Sequence, residues 1–150
     1  MKKYILILLT LVSLVSCGDI KNDDIVKSYY EDGTIKSELK YNEGHLDGEC
    51  WWYYPNGKPQ LKITYTNDTL NGEAMRWYDN GNIESKYFLK NDQYEGAFEK
   101  YNVYGILVKK EHYKEGVLHG ELRQWYDNGK IFVEGQYEEG MFQGRWVIYY

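Results

Sequence analysis

A strict 24-residue spacing of glycines constrains the fold more than any other feature of this sequence. Two sets of five glycines recur at this interval, and no insertion or deletion breaks the register from Tyr30 to Tyr150. A short unit that cannot bury an apolar face alone is typical of an array whose neighbouring units stack. The two sets are Gly33, Gly57, Gly81, Gly105, Gly129 and Gly48, Gly72, Gly96, Gly120, Gly144.

Each unit has the turn chemistry of a β-hairpin. Asn or Asp precedes the first glycine in four of the five units, as in Asn56-Gly57. This dipeptide favours the two-residue type I′ turn, in which both central residues have positive φ, so the sequence predicts that turn here. Tyr104-Gly105 departs from the pattern and predicts a strained turn or a turn of another type.

Polarity alternates along the strand that follows each first turn, which predicts one buried and one solvated sheet face. The second turn carries Gly or Asp, as at Asp68 and Asp92, which suits a left-handed backbone. The predicted buried face includes Ile35, Ser37, Leu39, Tyr41, Leu61, Ile63 and Tyr65, and in the less regular fourth unit Leu107, Lys109, Glu111 and Tyr113. The predicted wet face carries Lys36, Glu38, Lys40, Lys58, Gln60 and Lys62.

The other strand of each unit follows the second glycine. Cys50 shares its repeat position with Ala74, Phe98, Leu122 and Trp146, which predicts a small buried apolar residue and not a reactive thiol. Val26 occupies the same position before the first hairpin, so residues 25–30 are predicted as the first strand. The count gives about eleven short strands in one antiparallel meander.

The spacing of these motifs resembles the MORN repeat, in particular the second bacterial MORN variant. The similarity covers residues 30–150, although residues 102–105 of the fourth unit are degenerate. It implies an all-β fold: an elongated, twisted, single-layer antiparallel sheet of five 24-residue β-hairpin repeats. The closest matches are Tyr54-Pro55-Asn56-Gly57, Tyr78-Asp79-Asn80-Gly81 and Tyr126-Asp127-Asn128-Gly129.

The resemblance also implies a class of function. Bacterial proteins of this variant are often described as antitoxin or immunity-like partners of a toxin, and MORN repeats elsewhere act as scaffolds, dimerisers or membrane-associated modules. The repeat brings no catalytic residues with it. It therefore implies a non-catalytic module that binds a protein partner.

Residues 1–16 have the pattern of a bacterial lipoprotein signal peptide. Lys2 and Lys3 precede an apolar run at residues 5–15, which is shorter than the roughly 20 residues that span a bilayer. The run ends in a sequence that resembles a lipobox, so we expect lipidation of Cys17, a polar tether over residues 17–24 and a repeat domain over residues 25–150. A lipid anchor would place the protein in the cell envelope, and Gly18 after the cysteine favours the outer membrane, if the cell has one.

Composition and spacing argue against several kinds of site. A net charge of −5 does not favour nucleic acid, which rewards an excess of Lys and Arg. His45, His112 and His119 lack metal-ligand spacing, and no phosphate-binding loop or nucleophile motif is present. The sequence predicts no catalytic residue, no metal and no cofactor, and hence no enzyme.

Adjacent aromatic residues recur at the end of each hairpin strand. They favour cross-strand packing, or alternatively an exposed strip that stacks on a peptide, a sugar or a partner protein. The candidate binding residues are Trp51, Trp52, Tyr54, Trp77, Tyr78, Trp125 and Tyr126; of Trp51 and Trp52, one is expected to face outward.

The last predicted strand, residues 145–150, would form an edge that pairs with a second copy or with a partner strand. Three hypotheses therefore remain open: a membrane-anchored binding module with an antitoxin-like role, an envelope scaffold that self-associates, and a glycan-binding surface lipoprotein.

Overall fold

The computed structural model describes residues 24–148, with the side chains of residues 144–146 outside that description. The predicted signal peptide, the lipidation site Cys17 and the tether up to residue 23 also lie outside the described residues, as do Tyr149 and Tyr150. Between residues 24 and 148 the chain forms one open antiparallel sheet of fourteen strands. In this range no helix is long and apolar enough to cross a membrane.

Eleven of the strands follow one another across the sheet in chain order, which confirms the predicted meander. The three others are two-residue strands, and each of them pairs with the end of the strand that precedes it in the chain. The first strand begins at Asp24, a residue that was assigned to the tether. In order, the strands are β1 (Asp24–Tyr29), β2 (Ile35–Asn42), β3 (His45–Leu46), β4 (Gly48–Tyr53), β5 (Pro59–Thr66), β6 (Thr69–Trp77), β7 (Ile83–Lys90), β8 (Gln93–Tyr94), β9 (Gly96–Tyr101), β10 (Leu107–Lys114), β11 (Val117–Leu118), β12 (Gly120–Trp125), β13 (Ile131–Glu138) and β14 (Met141–Ile148).

The prediction of a type I′ turn at the Asn-Gly positions was wrong. Among these pairs only the glycine has a positive φ, as at Gly57 (78°). Gly57 N donates to Tyr54 O, and Tyr54 N donates to Lys58 O, which is a three-residue loop whose left-handed glycine forms a bulge. Asn56 contributes through its side chain instead, because its Oδ1 accepts a hydrogen bond from Lys58 N at 3.0 Å.

The expectation of a strained or different turn at Tyr104-Gly105 was also wrong. Gly105 has φ 83° and its N donates to Asn102 O at 2.9 Å, as in the other first turns. In the other first turns, the residue before the glycine provides an acceptor for the amide of the residue after the glycine, as Asn56 does for Lys58. Asn102 provides this acceptor, since its Oδ1 accepts from the N–H of Ile106 at 3.0 Å.

The type I′ turns lie instead at the second turn of each repeat. At each of these turns two consecutive residues have positive φ, as at Asn67 (46°) and Asp68 (62°), and the flanking Thr66 and Thr69 pair directly. This geometry defines a two-residue hairpin loop. The left-handed conformation predicted for the Asp positions is confirmed.

Cross-strand pairing defines the two faces of the sheet. Trp51, Lys62 and Met75 are neighbours on one face, here called the Trp51 face. The opposite face, called the Cys50 face, carries Cys50 paired with Ile63. The predicted alternation of side chains between two faces, with Ile63 on one and Lys62 on the other, is therefore confirmed.

The predicted wet face is not uniformly wet. Lys62 was expected to be solvated but is only 8% exposed. Its ammonium lies 5.8 Å from the centroid of the Trp51 ring, and a long apolar stem of this kind packs readily against an aromatic surface.

Small and medium-sized apolar side chains on the Cys50 face form the core. Cys50 has no exposed surface, which confirms its prediction as a buried apolar residue. Ser37 and Ser85 are also buried on this face, and so is the charged Glu111, which is 5% exposed and occupies the repeat position of Ile63. The buried apolar residues are Cys50, Ala74, Leu89, Leu122 and Val133.

Candidate functional site

An aromatic cluster lies on the Trp51 face where the first two repeats meet. Trp51 is in β4 and Trp77 ends β6, and their ring centroids are 5.8 Å apart with an interplanar angle of 22°. Tyr53, two residues after Trp51 and hence on the same face, has its ring 6.4 Å from that of Trp51. The sheet thus brings together aromatic residues from adjacent repeats.

Charged side chains surround this cluster. Lys62 Nζ is 3.1 Å from Glu49 Oε1 and 3.6 Å from Glu73 Oε2. Both carboxylates are substantially exposed, whereas the lysine side chain is largely covered. The ammonium is therefore held between two acidic groups beside the Trp51 ring, an arrangement that combines ion pairing with a cation–π contact.

Tyr53 joins the cluster to an ion pair in the first two strands. Its hydroxyl donates to Glu38 Oε2 at 2.7 Å, and Lys27 Nζ is 2.7 Å from Glu38 Oε1. Burial and, secondarily, the Glu38 carboxylate raise the pKa of Tyr53 to about 12. Hydrogen bonds from Lys27 and Tyr53 lower the pKa of Glu38.

A similar group of a tyrosine, a glutamate and a lysine lies two repeats further on, with the glutamate at the repeat position of Trp51 instead of Glu38. The hydroxyl of Tyr101 donates to Glu99 Oε2 at 2.7 Å, and Lys110 Nζ is 3.0 Å from Glu99 Oε1. Lys86 Nζ lies 5.4 Å from the centroid of the Tyr101 ring. Burial and the Glu99 carboxylate raise the pKa of Tyr101 to about 12.

These side chains form one surface, here called the aromatic-ionic band. It runs along the Trp51 face across successive strands and alternates aromatic rings with paired charges. Its members come from positions 24 residues apart or from strands that pair directly. They are Glu38, Trp51, Tyr53, Lys62, Trp77, Glu99 and Tyr101.

The remaining predicted candidates do not all join this surface. Trp52 pairs with Ser37 and Leu61 on the Cys50 face. Trp51 pairs with Glu38 and Lys62 on the opposite face, so one ring of the pair lies on each side of the sheet, as expected. Both rings are half-buried.

Tyr54 and Tyr78 link repeats to one another. The hydroxyl of Tyr54 donates to the main-chain oxygen of Trp77 at 2.7 Å, and that of Tyr78 donates to the main-chain oxygen of Tyr101 at 2.9 Å. Burial is the first cause that raises the pKa of both tyrosines. Their hydroxyls are thus engaged inside the array.

Trp125 and Tyr126 lie near the other end of the sheet. Trp125 ends β12 at the same repeat position as Trp77, but two repeats further along. Tyr126 is 40% exposed, with its ring 5.0 Å from Phe132. The structure therefore places this pair apart from Trp51 and Trp77.

Sequence reasoning did not select Tyr53, Lys62 and Glu38 as site residues. The parity of strand positions could have separated Tyr53 from Tyr54, because residues two apart on a strand share a face. The contribution of Lys62 was hidden, since a lysine on an alternating strand is ordinarily solvated. Within residues 24–148, no group of three or more His, Cys, Asp and Glu side chains is placed to hold a metal ion.

A comparison with known protein families finds the same repeats. The MORN repeat variant matches residues 25–43, 46–67, 70–91 and 118–139, together more than half of the chain. The chain belongs to this family. The stretch between residues 91 and 118 that is not matched contains the degenerate fourth repeat.

MORN repeats are in general protein-binding or membrane-binding modules. None of the curated proteins matches the chain. Membership of the MORN family therefore gives the general class of the protein but not its partner.

Proposed function

We propose that this MORN protein is a lipid-anchored, non-catalytic module that binds a protein partner through the Trp51 face. The observation that carries the proposal is the aromatic-ionic band, in which Trp51 and Trp77 stack beside the ion pairs of Lys62. Tryptophan and tyrosine are enriched in protein interface hot spots, and polar groups such as these paired charges belong to the rim that surrounds them.

The ring geometry favours a protein over a glycan. A sugar ring stacks on an open aromatic face, but the Trp51 ring already has Trp77 at 5.8 Å and Lys62 Nζ at 5.8 Å from its centroid. The edges of these aromatic rings and the charged groups around them remain accessible. These suit the side chains of a partner protein better than a stacked sugar.

The partner is tested by capture from native cell envelopes, with the protein as bait and mass spectrometry as readout. We expect one stoichiometric partner protein. The control variant Tyr104→Ala should still capture it, because Tyr104 is 79% exposed at a turn. The Trp51→Ala variant should not capture it. Thermal unfolding of both variants shows whether the fold is intact. Recovery of the protein itself alone would favour an envelope scaffold and would contradict the proposal.

Within this class we propose an antitoxin or immunity-like role, supported by the resemblance to MORN proteins of that kind. A toxin encoded beside the gene would be the expected partner. Co-expression should relieve its toxicity, and the relief should disappear with Trp51→Ala. Undiminished toxicity beside the wild-type protein would leave the binding module without this role.

We further propose that Cys17 carries the lipid and that the protein is attached to the outer membrane where one exists. The support is the lipobox-like sequence and Gly18. Labelling of growing cells with an alkyne fatty acid should mark the wild-type protein and not Cys17→Ser. Equal labelling of both would contradict the anchor without affecting the binding surface.

A further inference from the structure

A groove on the Trp51 face lies where the third repeat departs from the others. Its volume is about 480 Å³, and its lining is mostly apolar, with Phe88 and Ala97 among the lining residues. In three of the other four repeats, the corresponding pair includes a glutamate, whereas the fifth has Gln136 and Arg145. The three pairs with a glutamate are Lys40 with Glu49, Thr64 with Glu73, and His112 with Glu121.

The groove exists because Phe88 leaves the backbone of Gly96 uncovered. At the equivalent glycines, a Cβ atom would meet the side chain of the preceding strand: it would lie 2.7 Å from Lys40 Cδ at Gly48 and 2.7 Å from Thr64 Cβ at Gly72. At Gly96, no atom would lie within 4 Å of such a Cβ. The third repeat thus replaces a filled position with open space.

Apolar surface remains exposed around this space. Phe88 is 41% exposed, and Met75 lines the same groove from the adjacent strand β6. An apolar side chain entering the groove would remove this surface from water, which is favourable in proportion to the area covered. The volume also falls within the roughly 300–1,000 Å³ of small-ligand pockets.

The rim of the groove is acidic. Glu73, Glu95 and Glu99 line it together with one cation, Lys86, whose ammonium is directed at the Tyr101 ring. Lys62 is 3.6 Å from Glu73, and Lys110 pairs with Glu99. Because Glu73 is 72% exposed, and the chain as a whole has a net charge of −5, the potential at the rim favours a cationic ligand.

We propose that this groove holds an aromatic or aliphatic side chain of a protein partner that has a lysine or arginine beside it. The apolar floor selects the buried side chain, and the carboxylates at the rim select the cation. The inference rests on the proposed function and names the chemistry of the partner. Of the residues that form the groove, Gly96 and Ala97 lie in the stretch that the family model does not match.

The test uses a pentapeptide with a central phenylalanine and two flanking arginines, titrated into the protein and followed by the amide NMR signals of Gly96 and Ala97. We expect both signals to shift. Ala97→Glu restores the glutamate of three other repeats, so it should fold normally while weakening binding by at least about tenfold. Phe88→Thr, which copies Thr64, should act in the same direction.

The control substitution is Glu121→Gln, at the same position one repeat further on, and it should leave binding unchanged. A peptide with flanking glutamates that binds equally well would overturn the choice of a cationic partner. A peptide with a central glycine that binds equally well, or no shift at Gly96 and Ala97 at millimolar peptide, would overturn the groove as a site.

The failure of this proposal is distinguishable from the failure of the proposed function. If the envelope partner is captured equally by wild-type protein and Ala97→Glu, the binding module stands and the groove is overturned. If the arginine-flanked peptide occupies the groove but no envelope partner is found, the groove stands as a site and the proposed function fails.

Discussion

The hydroxyl of Tyr54 donates a hydrogen bond to the main-chain oxygen of Trp77, one repeat further along the sheet, with a length of 2.7 Å. The same bond joins Tyr30 to the oxygen of Tyr53 at 2.6 Å. In an array whose units contact only their neighbours, such bonds couple the stability of one repeat to the next. A tyrosine at this position therefore has a structural reason to recur.

Tyr54→Phe should lower the free energy of unfolding by about 1–2 kcal/mol, because it removes the bond and leaves the carbonyl of Trp77 without this donor. Urea unfolding followed by tryptophan fluorescence measures the change. Tyr104→Phe is the control, since the side chain is exposed at a turn, and it should remain within about 0.5 kcal/mol of wild type. Equal losses in the two variants would contradict the role of the Tyr54 bond.

Asn102 should matter more to its turn than Asn56 does to the equivalent turn. Its Oδ1 accepts from the amides of Tyr104 and Ile106, both at 3.0 Å, and its Nδ2 donates to Asp127 at 2.8 Å. We expect Asn102→Ala to cost about 1–2 kcal/mol of unfolding free energy.

Tyr104→Asn provides the test of this explanation. It restores an acceptor for the Ile106 amide, so Asn102→Ala should cost about 0.5–1 kcal/mol less in that background than in wild type, a coupling within the range of contacting residues. Urea unfolding of wild type, the two single variants and the double variant gives the four free energies of this double-mutant cycle. Additive losses would show that Asn102 acts independently of the residue at 104.

These turns show where sequence reasoning was limited. The 24-residue register, the number of principal strands and the burial of Cys50 all followed from repeat positions, because side chains at one position occupy the same place in every unit. The loop type did not follow, since Asn-Gly is compatible with a two-residue loop and with a three-residue loop that has only the glycine left-handed. That choice depends on the backbone pairing that flanks the turn.

The candidate surface was predictable only in part. The alternation of residues assigned Lys62 to the correct face, but its burial depends on the Trp51 ring across the strand and on carboxylates from two other strands. Such contacts join residues that no single strand pattern relates. The open groove at Gly96 likewise appears only when Phe88 is seen to leave that glycine uncovered.

Glu111→Ile should maintain or raise the stability of the protein. Glu111 is 5% exposed on the Cys50 face, with Lys109 Nζ at 2.7 Å and the Tyr113 hydroxyl at 3.1 Å. Ionised groups lose hydration on burial, and apolar replacements are often neutral or stabilising, while Ile63 shows that the position accepts isoleucine. Lys109 is 34% exposed and can remain hydrated.

Thermal unfolding at neutral pH measures the effect, and we expect an unchanged or higher Tm. Glu111→Gln is the comparison, because it keeps the shape of the side chain and removes its charge. Its Tm should lie between those of wild type and Glu111→Ile. A clear fall in Tm for Glu111→Ile would show that the carboxylate stabilises the fold.

The pair of His45 and Asp68 should make stability depend on pH. Their side chains are 2.6 Å apart; the hydrogen bond and charge of Asp68 raise the pKa of His45, and the bond from His45 lowers the pKa of Asp68. The histidine contribution is present below its ordinary pKa near 6.5 and is lost as pH rises through the raised value. The aspartate contribution is present above its ordinary pKa near 3.8 and is lost as pH falls through the lowered value.

His45→Gln should therefore lower Tm most near pH 5 and have little effect near pH 9. The effect is expected to be small, because both side chains are more than half exposed. His119→Gln serves as the control at a different turn and should not reproduce the pH profile. A difference between wild type and His45→Gln that is the same at both pH values would exclude the ion pair as its cause.

Cys50 should react with thiol reagents only when the sheet opens. The residue has no exposed surface, and burial raises the pKa of its thiol, so both access and the thiolate fraction are low. In a Cys17→Ser background, which removes the other thiol, Ellman's reagent should label the native protein at least about 100-fold more slowly than the protein in urea. Cys50→Ala should cost less than about 1.5 kcal/mol, because Ala74 fills the equivalent position with 1% exposure. Labelling of the native protein at the rate seen in urea would mean that the Cys50 face is open to solvent, and would contradict a core built on that face.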